Sequence, residues 1–206
     1  MDESSPRSRR TGRRPGASRT REDIAAAARA HFAETGYDRA TIRAIAAGAG
    51  VDPALVVRFY GSKEGLFREV MALPAAVADA IARLADGPRA TVGRRLAEVV
   101  VGALEHPATR SVVLGRIRSA TSHPDAADLV RETVTRDLHA LAGALTDDEP
   151  LTRATLVGAH LVGVAFARYI VRVEPLSTMA PADVVEVVAP TFQHCLTGPL
   201  RTGTTG

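Results

Sequence analysis

Two cationic side chains, Arg58 and Lys63, are the residues of this sequence best suited to bind an anion. An arginine can donate to a phosphate or to the O6 and N7 atoms of guanine, and a lysine offers a compact positive charge to phosphate. Lys63 is the sole lysine of the 206 residues. It is predicted to lie in the first turn of a helix, where a cation opposes the helix dipole by roughly 0.3–1 kcal/mol. A lysine at that place indicates an external partner, and a nucleic-acid phosphate is the natural one.

The N-terminal segment adds further positive charge. Residues 1–21 hold seven arginines against two acidic residues, whereas the whole chain has a net charge of +3. The segment is rich in Ser, Gly, Pro and Arg, which predicts a disordered basic arm over residues 1–19. Such an arm can neutralise phosphates, and Arg13 and Arg14 lie closest to the folded part, where they could reach a minor groove. A solubilising tail has the same composition and stays open as an alternative.

Residues 41–67 contain the elements that would position these side chains. Thr41 and Asp52 each precede a helical pattern and are good N-cap residues, because their side-chain oxygens accept from backbone N–H groups of the first turn. Gly50 supplies the left-handed residue that ends the first helix, and Pro53 begins the second, where a missing N–H costs nothing. The pattern predicts a helix-turn-helix. An ordinary helical hairpin inside an all-α core is the alternative.

The second helix of this unit would present its outer face to the major groove of DNA. Only Arg58 on that face has a long donor side chain, and Val57 can offer an apolar contact, for example to a thymine methyl. The predicted DNA-binding residues are Arg13, Arg14, Thr41, Arg43, Asp52, Pro53, Ala54, Val57, Arg58, Tyr60 and Lys63.

The run from Thr20 to Phe67 resembles the DNA-binding domain of the TetR family of bacterial transcriptional regulators. The spacing from Gly36 through Gly50 to Ser62 is its most distinctive part. The matching residues are Ile24, Ala27, Ala28, Phe32, Gly36, Tyr37, Thr41, Ile45, Ala46, Gly50, Val51, Leu55, Gly61, Ser62, Lys63, Leu66 and Phe67. The resemblance implies three N-terminal helices for DNA and a larger helical domain for a small ligand and for dimerisation.

The chain departs from the family pattern at one place. Family members usually carry aromatic or His residues at the two positions before the Phe59-Tyr60 pair, where this chain has Val57 and Arg58. The domain limits that follow are a basic arm over 1–19, a DNA-binding domain over 20–66, an effector-binding and dimerisation domain over 67–199, and a flexible tail over 200–206.

The rest of the chain also has helical patterns and no strand patterns, which predicts an all-α fold. Hydrophobic content is 46% and aromatic content 4%, which favours closely packed helices with a core of Ala, Val and Leu. Outside the helix-turn-helix, helices are predicted from Thr20 to about Thr35, from Ser62 onward with a kink at Pro74, and over 91–105, 107–122, 124–145, 151–173 and 181–196. The single cysteine, Cys195, excludes an internal disulfide and a multi-Cys metal site.

The helix predicted over 151–173 is apolar on nearly all sides, so it must be covered on most of them. We therefore predict a two-fold homodimer through 151–173 and 181–196; a central core helix in a monomer is the alternative. The run 154–171 is long enough to span a membrane. Because it contains His160 and Arg168, a buried or interface helix is favoured and no membrane association is predicted.

Candidates for an effector pocket are polar or large apolar residues of the second domain. Each of them could instead belong to the core or face solvent, and they do not reveal the chemistry of the effector. Arg116 and Arg118 lie two residues apart, so they cannot share one helix face. The predicted pocket residues are Phe67, Met71, Leu104, Arg118, Phe166 and Tyr169.

No enzymatic motif was found. The sequence lacks a G-x-S-x-G elbow, an H-E-x-x-H pair and a P-loop, and its six His residues include no i, i+4 pair. No cofactor, metal or catalytic residue is predicted, and the absence of an apolar leader predicts a cytoplasmic protein. The predicted function is repression through near-palindromic double-stranded operator DNA, relieved by a small-molecule effector. An architectural DNA-binding protein without effector response and a helical interaction module that binds no DNA are the alternatives.

Overall fold

The computed structural model describes residues 15–200, and this part of the chain is helical without β-strands. The helices are α1 (Pro15–Arg39), α2 (Ile42–Gly48), α3 (Pro53–Tyr60), α4 (Lys63–Val70), α5 (Ala75–Ala82), α6 (Val92–Glu105), α7 (Pro107–Ser119), α8 (Pro124–Glu132), α9 (His139–Leu145), α10 (Pro150–Ala165) and α11 (Pro181–Thr197). A π-helical segment, Thr133–Leu138, joins α8 to α9, and a second, Phe166–Val171, extends α10. The predicted all-α fold is confirmed.

The first helix begins earlier than predicted. It starts at Pro15, so the predicted start at Thr20 is wrong and residues 15–19 belong to a helix rather than to the basic arm. Proline suits this position because its ring pre-sets the helical φ and its missing N–H would be unpaired anyway. Arg13 and Arg14, like the predicted tail from residue 201 onward, lie outside the described residues.

The end of α1 contains a kink at Gly36. Its φ of 75° and ψ of 176° are outside the helical region, and this combination is open to glycine because it has no Cβ. The kink turns Tyr37 into the core, where its ring meets Phe67 edge-on with the centroids 5.1 Å apart. The Tyr37 N–H, released from the helix ladder, donates to Ser119 Oγ of α7 at 2.9 Å. The kink therefore joins the N-terminal helices to the rest of the molecule.

Two hydrophobic cores organise the described residues. The first lies among α1–α4 and includes Leu66, Phe67 and Met71, and α8 adds Leu129 to it. The predicted domain limit between residues 66 and 67 therefore cuts through this core. The second core lies between α6, α9, α10 and α11, where α11 packs along α6.

Several helices of the second domain differ from the prediction. Pro74 precedes a separate helix, α5, instead of kinking α4. The helix predicted over 124–145 is present, but its middle third has π-type hydrogen bonding. The helices predicted over 91–105 and 181–196 match α6 and α11 to within one residue at each end.

Candidate functional site

Side-chain caps fix the geometry of α2 and α3. Thr41 Oγ1 accepts from the Ala44 N–H at 3.1 Å, and Asp52 Oδ1 accepts from the Ala54 N–H at 2.7 Å. Both N-caps were predicted from sequence and are confirmed. Gly50 has a φ of 65°, as expected for the residue that ends α2.

The inner faces of α2 and α3 attach the pair to the first core. Ile45, Ala46 and Val56 are completely buried. The small Ala46 side chain permits close contact between the two helices, and its carbonyl accepts from the Val51 N–H at 3.0 Å within the turn. The outer face of α3 is therefore held on a rigid support.

The outer face of α3 is exposed as predicted. Val57 retains 47% of its accessible surface, and Ala54 and Arg58 are also exposed. Neither Arg43 of α2 nor Arg58 forms a hydrogen bond or ion pair with another residue in the described part of the chain. Two guanidinium groups are thus available to a ligand on this surface, and an arginine in that setting can bind phosphate or a guanine edge.

Tyr60 and Lys63 make contacts within the protein that the sequence did not indicate. Tyr60 is buried, with 8% exposure, and its hydroxyl donates to the Arg21 carbonyl at 2.8 Å. Contrary to the prediction, Tyr60 is therefore not accessible to DNA. The Lys63 ammonium lies 4.1 Å from the centroid of the Tyr37 ring and 3.5 Å from the Asp38 carbonyl oxygen. Its partially exposed side chain therefore has internal partners, which offset the unfavourable place of a cation in the first turn of α4.

Glu64 braces the same region. Its carboxylate accepts from the Tyr37 hydroxyl at 2.8 Å. Its pKa is lowered to about 2, first by its own backbone N–H at the start of α4 and then by the Tyr37 hydroxyl. The carboxylate therefore stays ionised and fixes α4 against the end of α1.

A cavity of about 120 Å³ lies in the second domain, between α5, α6, α7, α10 and the π-helical segment after α8. Its wall is almost entirely apolar and includes Val77, Leu104, Val113 and Leu161. For comparison, an apolar cavity of about 150 Å³ accommodates benzene. The cavity can therefore hold a small apolar group without rearrangement.

Only Leu104 of the six predicted pocket residues lines this cavity. Phe67 and Met71 belong to the first core, and Phe166 is 46% exposed. Tyr169 lies on a separate polar cleft and donates to Glu105 at 2.8 Å. Helical periodicity identifies an inward face but not the cluster that the face joins, so the sequence did not indicate which of these residues reach the cavity.

Arg118 does not line the cavity, whereas its neighbour Arg116 does. Arg116 is 7% exposed, and its Nε donates to the carbonyl of Met71, the C-cap of α4, at 2.6 Å. Its Nη1 donates to Thr133 Oγ1 at 3.0 Å. Sequence could have identified Arg116, since it follows Thr109 and Val112 on the inward face of α7 at helical spacing.

The surface of α10 and α11 retains large exposed apolar side chains. Phe166 and Val187 are 46% and 55% exposed, and Val162 and Val171 are also exposed. Residues Pro150–Val171, with a mean hydropathy of 1.6, are long and apolar enough to cross a membrane by length and composition only. Arg153 within this helix is 3% exposed and donates to the Cys195 and Gly198 carbonyls at the end of α11.

Sequence comparison adds the deciding observation to this geometry. Residues 24–70 match the model of bacterial regulatory proteins of the tetR family, and residues 90–196 match the tetracyclin repressor-like C-terminal domain. A TetR-family regulator from Streptomyces coelicolor A3 shares 36% sequence identity over 90% of this chain and 99% of its own, with a TM-score of 0.61. The chain belongs to the TetR family. It is a DNA-binding transcriptional regulator whose DNA-binding unit is the α2–α3 pair.

More distant structures share the fold of this TetR-family regulator. NalD of Pseudomonas aeruginosa, the secondary repressor of the MexAB-OprM multidrug efflux pump, is 20% identical over 91% of this chain and 98% of its own, with a TM-score of 0.66. SmeT in complex with triclosan is 21% identical over 82% of this chain and 90% of its own, with a TM-score of 0.59. A search of curated proteins found no match.

Proposed function

We propose that this TetR-family regulator is a homodimeric cytoplasmic repressor that releases operator DNA when a small molecule enters the cavity. The exposed outer face of α3, with the free guanidinium of Arg58, is the observation that carries the proposal. Asp52, Pro53, Ala54 and Val57 would shape the approach of α3 to the major groove.

Phosphate contacts would come from the surroundings of α3. Arg43 is exposed and unpaired within the described residues, and Thr41 sits at the exposed start of α2. Lys63 could contact phosphate from its present place, since its side chain is only partially covered. Arg13 and Arg14 would add contacts from the N-terminal segment. These contacts set the position of the protein and do not read sequence.

A second copy of the chain would cover the apolar surface of α10 and α11. The exposed side chains of Phe166 and Val187 would then be removed from water, as expected for an interface between identical subunits. A two-fold dimer presents two α3 helices to half-sites about one turn of DNA apart, which requires a palindromic or near-palindromic operator.

Arg116 provides the physical connection between the cavity and the DNA-binding helices. It lines the cavity and holds the carbonyl at the end of α4. A ligand that displaces the guanidinium would change the support of α4 and hence the separation of the two α3 helices in a dimer. A differential affinity of a few kcal/mol between the two states is enough to release DNA. NalD is a repressor and SmeT binds triclosan, and both precedents support this reading.

The proposal is tested by a gel-shift experiment on the promoter of the protein's own gene and its neighbours, with non-specific competitor DNA. We expect a discrete complex that survives competitor and that contains two copies of the chain. Equal binding to promoter and competitor DNA would instead favour an architectural DNA-binding protein.

The dimer is tested separately by sedimentation of a Phe166→Asp, Val187→Asp double variant. Charges placed on an apolar interface should convert the dimer to monomer and abolish the two-fold complex. The matched control is Ala76→Asp on the exposed side of α5, which should remain dimeric. A wild-type protein that is monomeric at micromolar concentration would contradict the proposed interface.

A further inference from the structure

The guanidinium of Arg116 differs from the other buried arginines in lacking a carboxylate. Arg153 pairs with Asp148 at 2.6 Å and Arg168 with Glu105 at 3.5 Å. Arg116 has no acidic group within ion-pair distance among the described residues. A buried charge is usually paired, because moving it out of water without a partner is costly.

The hydrogen bonds of Arg116 leave part of the guanidinium unused. Nε donates to the Met71 carbonyl at 2.6 Å, and Nη1 donates to Thr133 Oγ1 at 3.0 Å and to the Leu129 carbonyl at 3.4 Å. Nη2 has no hydrogen-bond partner in the described part of the chain. The group therefore retains an unused donor, and the carboxylates that act on its charge, Glu132 and Asp137, do so from beyond ion-pair distance.

Burial lowers the pKa of Arg116 to about 10, so the side chain is still protonated at neutral pH. It is the only charged residue among the described residues that line the cavity. Thr109, which is 6% exposed, lines the same wall and has no hydrogen-bond partner for its hydroxyl among the described residues. The remainder of the wall is apolar.

We propose that the cavity binds an organic monocarboxylate, with its anionic head at Arg116 and its apolar body along α7 toward Val113 and Thr109. The proposal rests on the effector-responsive function proposed above and names the chemical class of the effector. A single negative charge matches the single guanidinium, whereas a dianion would bring a second, uncompensated charge into an apolar site.

The experiment uses the full-length protein and calorimetric titration with straight-chain carboxylates from butanoate to octanoate, each compared with the alcohol of the same length. A charge-assisted hydrogen bond in an apolar site predicts that the best carboxylate binds about ten- to a hundredfold more tightly than its alcohol. Equal affinities for the two classes, or binding of neither class, would overturn the proposal. This comparison needs no variant.

Two variants locate the binding determinant. Arg116→Met should reduce carboxylate affinity to the level of the alcohol measured with the same variant. Arg118→Met, two residues away on the same helix and outside the cavity wall, should preserve the tenfold or greater preference. An Arg116→Met protein that keeps the full preference would place the carboxylate elsewhere and overturn the assignment.

Operator binding measured on the same protein distinguishes failure of the carboxylate assignment from failure of the proposed function. If the wild type binds its operator and an unrelated apolar compound releases it while no carboxylate binds, the proposed function stands and the carboxylate assignment is wrong. If the wild type shows no preference for any operator, the proposed function fails whatever binds in the cavity.

Discussion

The N-caps of the helix-turn-helix and the buried arginines of the effector domain make polar contacts over very different sequence distances. In the helix-turn-helix, Asp52 caps a backbone N–H two residues away. In the effector domain, Arg116 reaches a carbonyl 45 residues away and Arg153 one 42 residues away. The first kind of contact stabilises one helix end, whereas the second ties distant elements together. The helix-turn-helix is thus joined to a domain in which a few polar contacts tie together elements that are distant in sequence.

Among the long-range contacts, those of Arg153 are expected to contribute most to stability. Arg153→Met would leave the carbonyls of Cys195 and Gly198 without this buried donor, and each lost partner of a buried group costs about 1–3 kcal/mol. We expect the free energy of unfolding to fall by about 2–4 kcal/mol.

The matched control is Arg94→Met, which removes an exposed ion pair with Glu186 and should leave the free energy of unfolding nearly unchanged, because solvent screens such a pair. Both are measured by denaturant unfolding at one protein concentration, because dimerisation makes stability concentration-dependent. Equal losses in the two variants would show that the long-range contacts are no more important than surface pairs.

A smaller effect is expected from the turn of the helix-turn-helix. A Cβ at Gly50 would meet no atom within 4 Å, so the cost of Gly50→Ala is purely conformational. An L-residue in the left-handed region costs roughly 1–2 kcal/mol. Gly102 in α6 is equally uncrowded but lies in a regular helix, so Gly102→Ala should stabilise by about 0.5–1 kcal/mol. If Gly50→Ala and Gly102→Ala shifted the midpoint of thermal unfolding in the same direction, the conformational explanation of Gly50 would be contradicted.

The difference between local and long-range contacts also explains how much of the structure could be predicted from sequence. Thr41, Gly50 and Asp52 act on neighbours within three residues, so residue type and spacing were sufficient to place them. The early start at Pro15 was missed because residues 15–19 share the Ser, Gly, Pro and Arg composition that predicted a disordered arm. The kink at Gly36 was missed because the helix was predicted to end near Thr35. Phe67 was recognised as an inward residue but assigned to the wrong core, because helical spacing contains no information on which distant helix covers a face.

Arg116 shows where sequence reasoning was incomplete. Arg116 and Arg118 lie two residues apart and cannot share a helix face, and the prediction chose Arg118 for the pocket. The partners of Arg116, the Met71 carbonyl and Thr133, lie on other elements and become visible only in the folded chain. The cavity itself is a product of packing among five elements and has no local signature.

The smallest effect on stability is expected from replacing Glu64, whose contribution depends on pH. Its pKa in the folded protein, about 2, lies below its ordinary value near 4.5. The stabilisation from its ionised form is present above that ordinary value and is lost as the pH falls toward 2. Glu64→Gln should therefore unfold with a weaker pH dependence between pH 4.5 and 2 than the wild type, measured by thermal unfolding. If the pH dependence of unfolding were the same in Glu64→Gln as in the wild type, the Glu64 carboxylate would not stabilise the contact between α1 and α4.

The most direct test of the account is fluorescence anisotropy with an operator duplex and a scrambled duplex at several salt concentrations, for the wild type, Arg58→Ala and Lys63→Ala. If Arg58 reads a guanine, its removal should reduce operator affinity by roughly 1–3 kcal/mol while scarcely changing affinity for the scrambled duplex. Removal of a phosphate contact at Lys63 should weaken binding to both duplexes alike and lower the salt slope by about one. Unchanged operator preference in Arg58→Ala would contradict sequence reading through the outer face of α3.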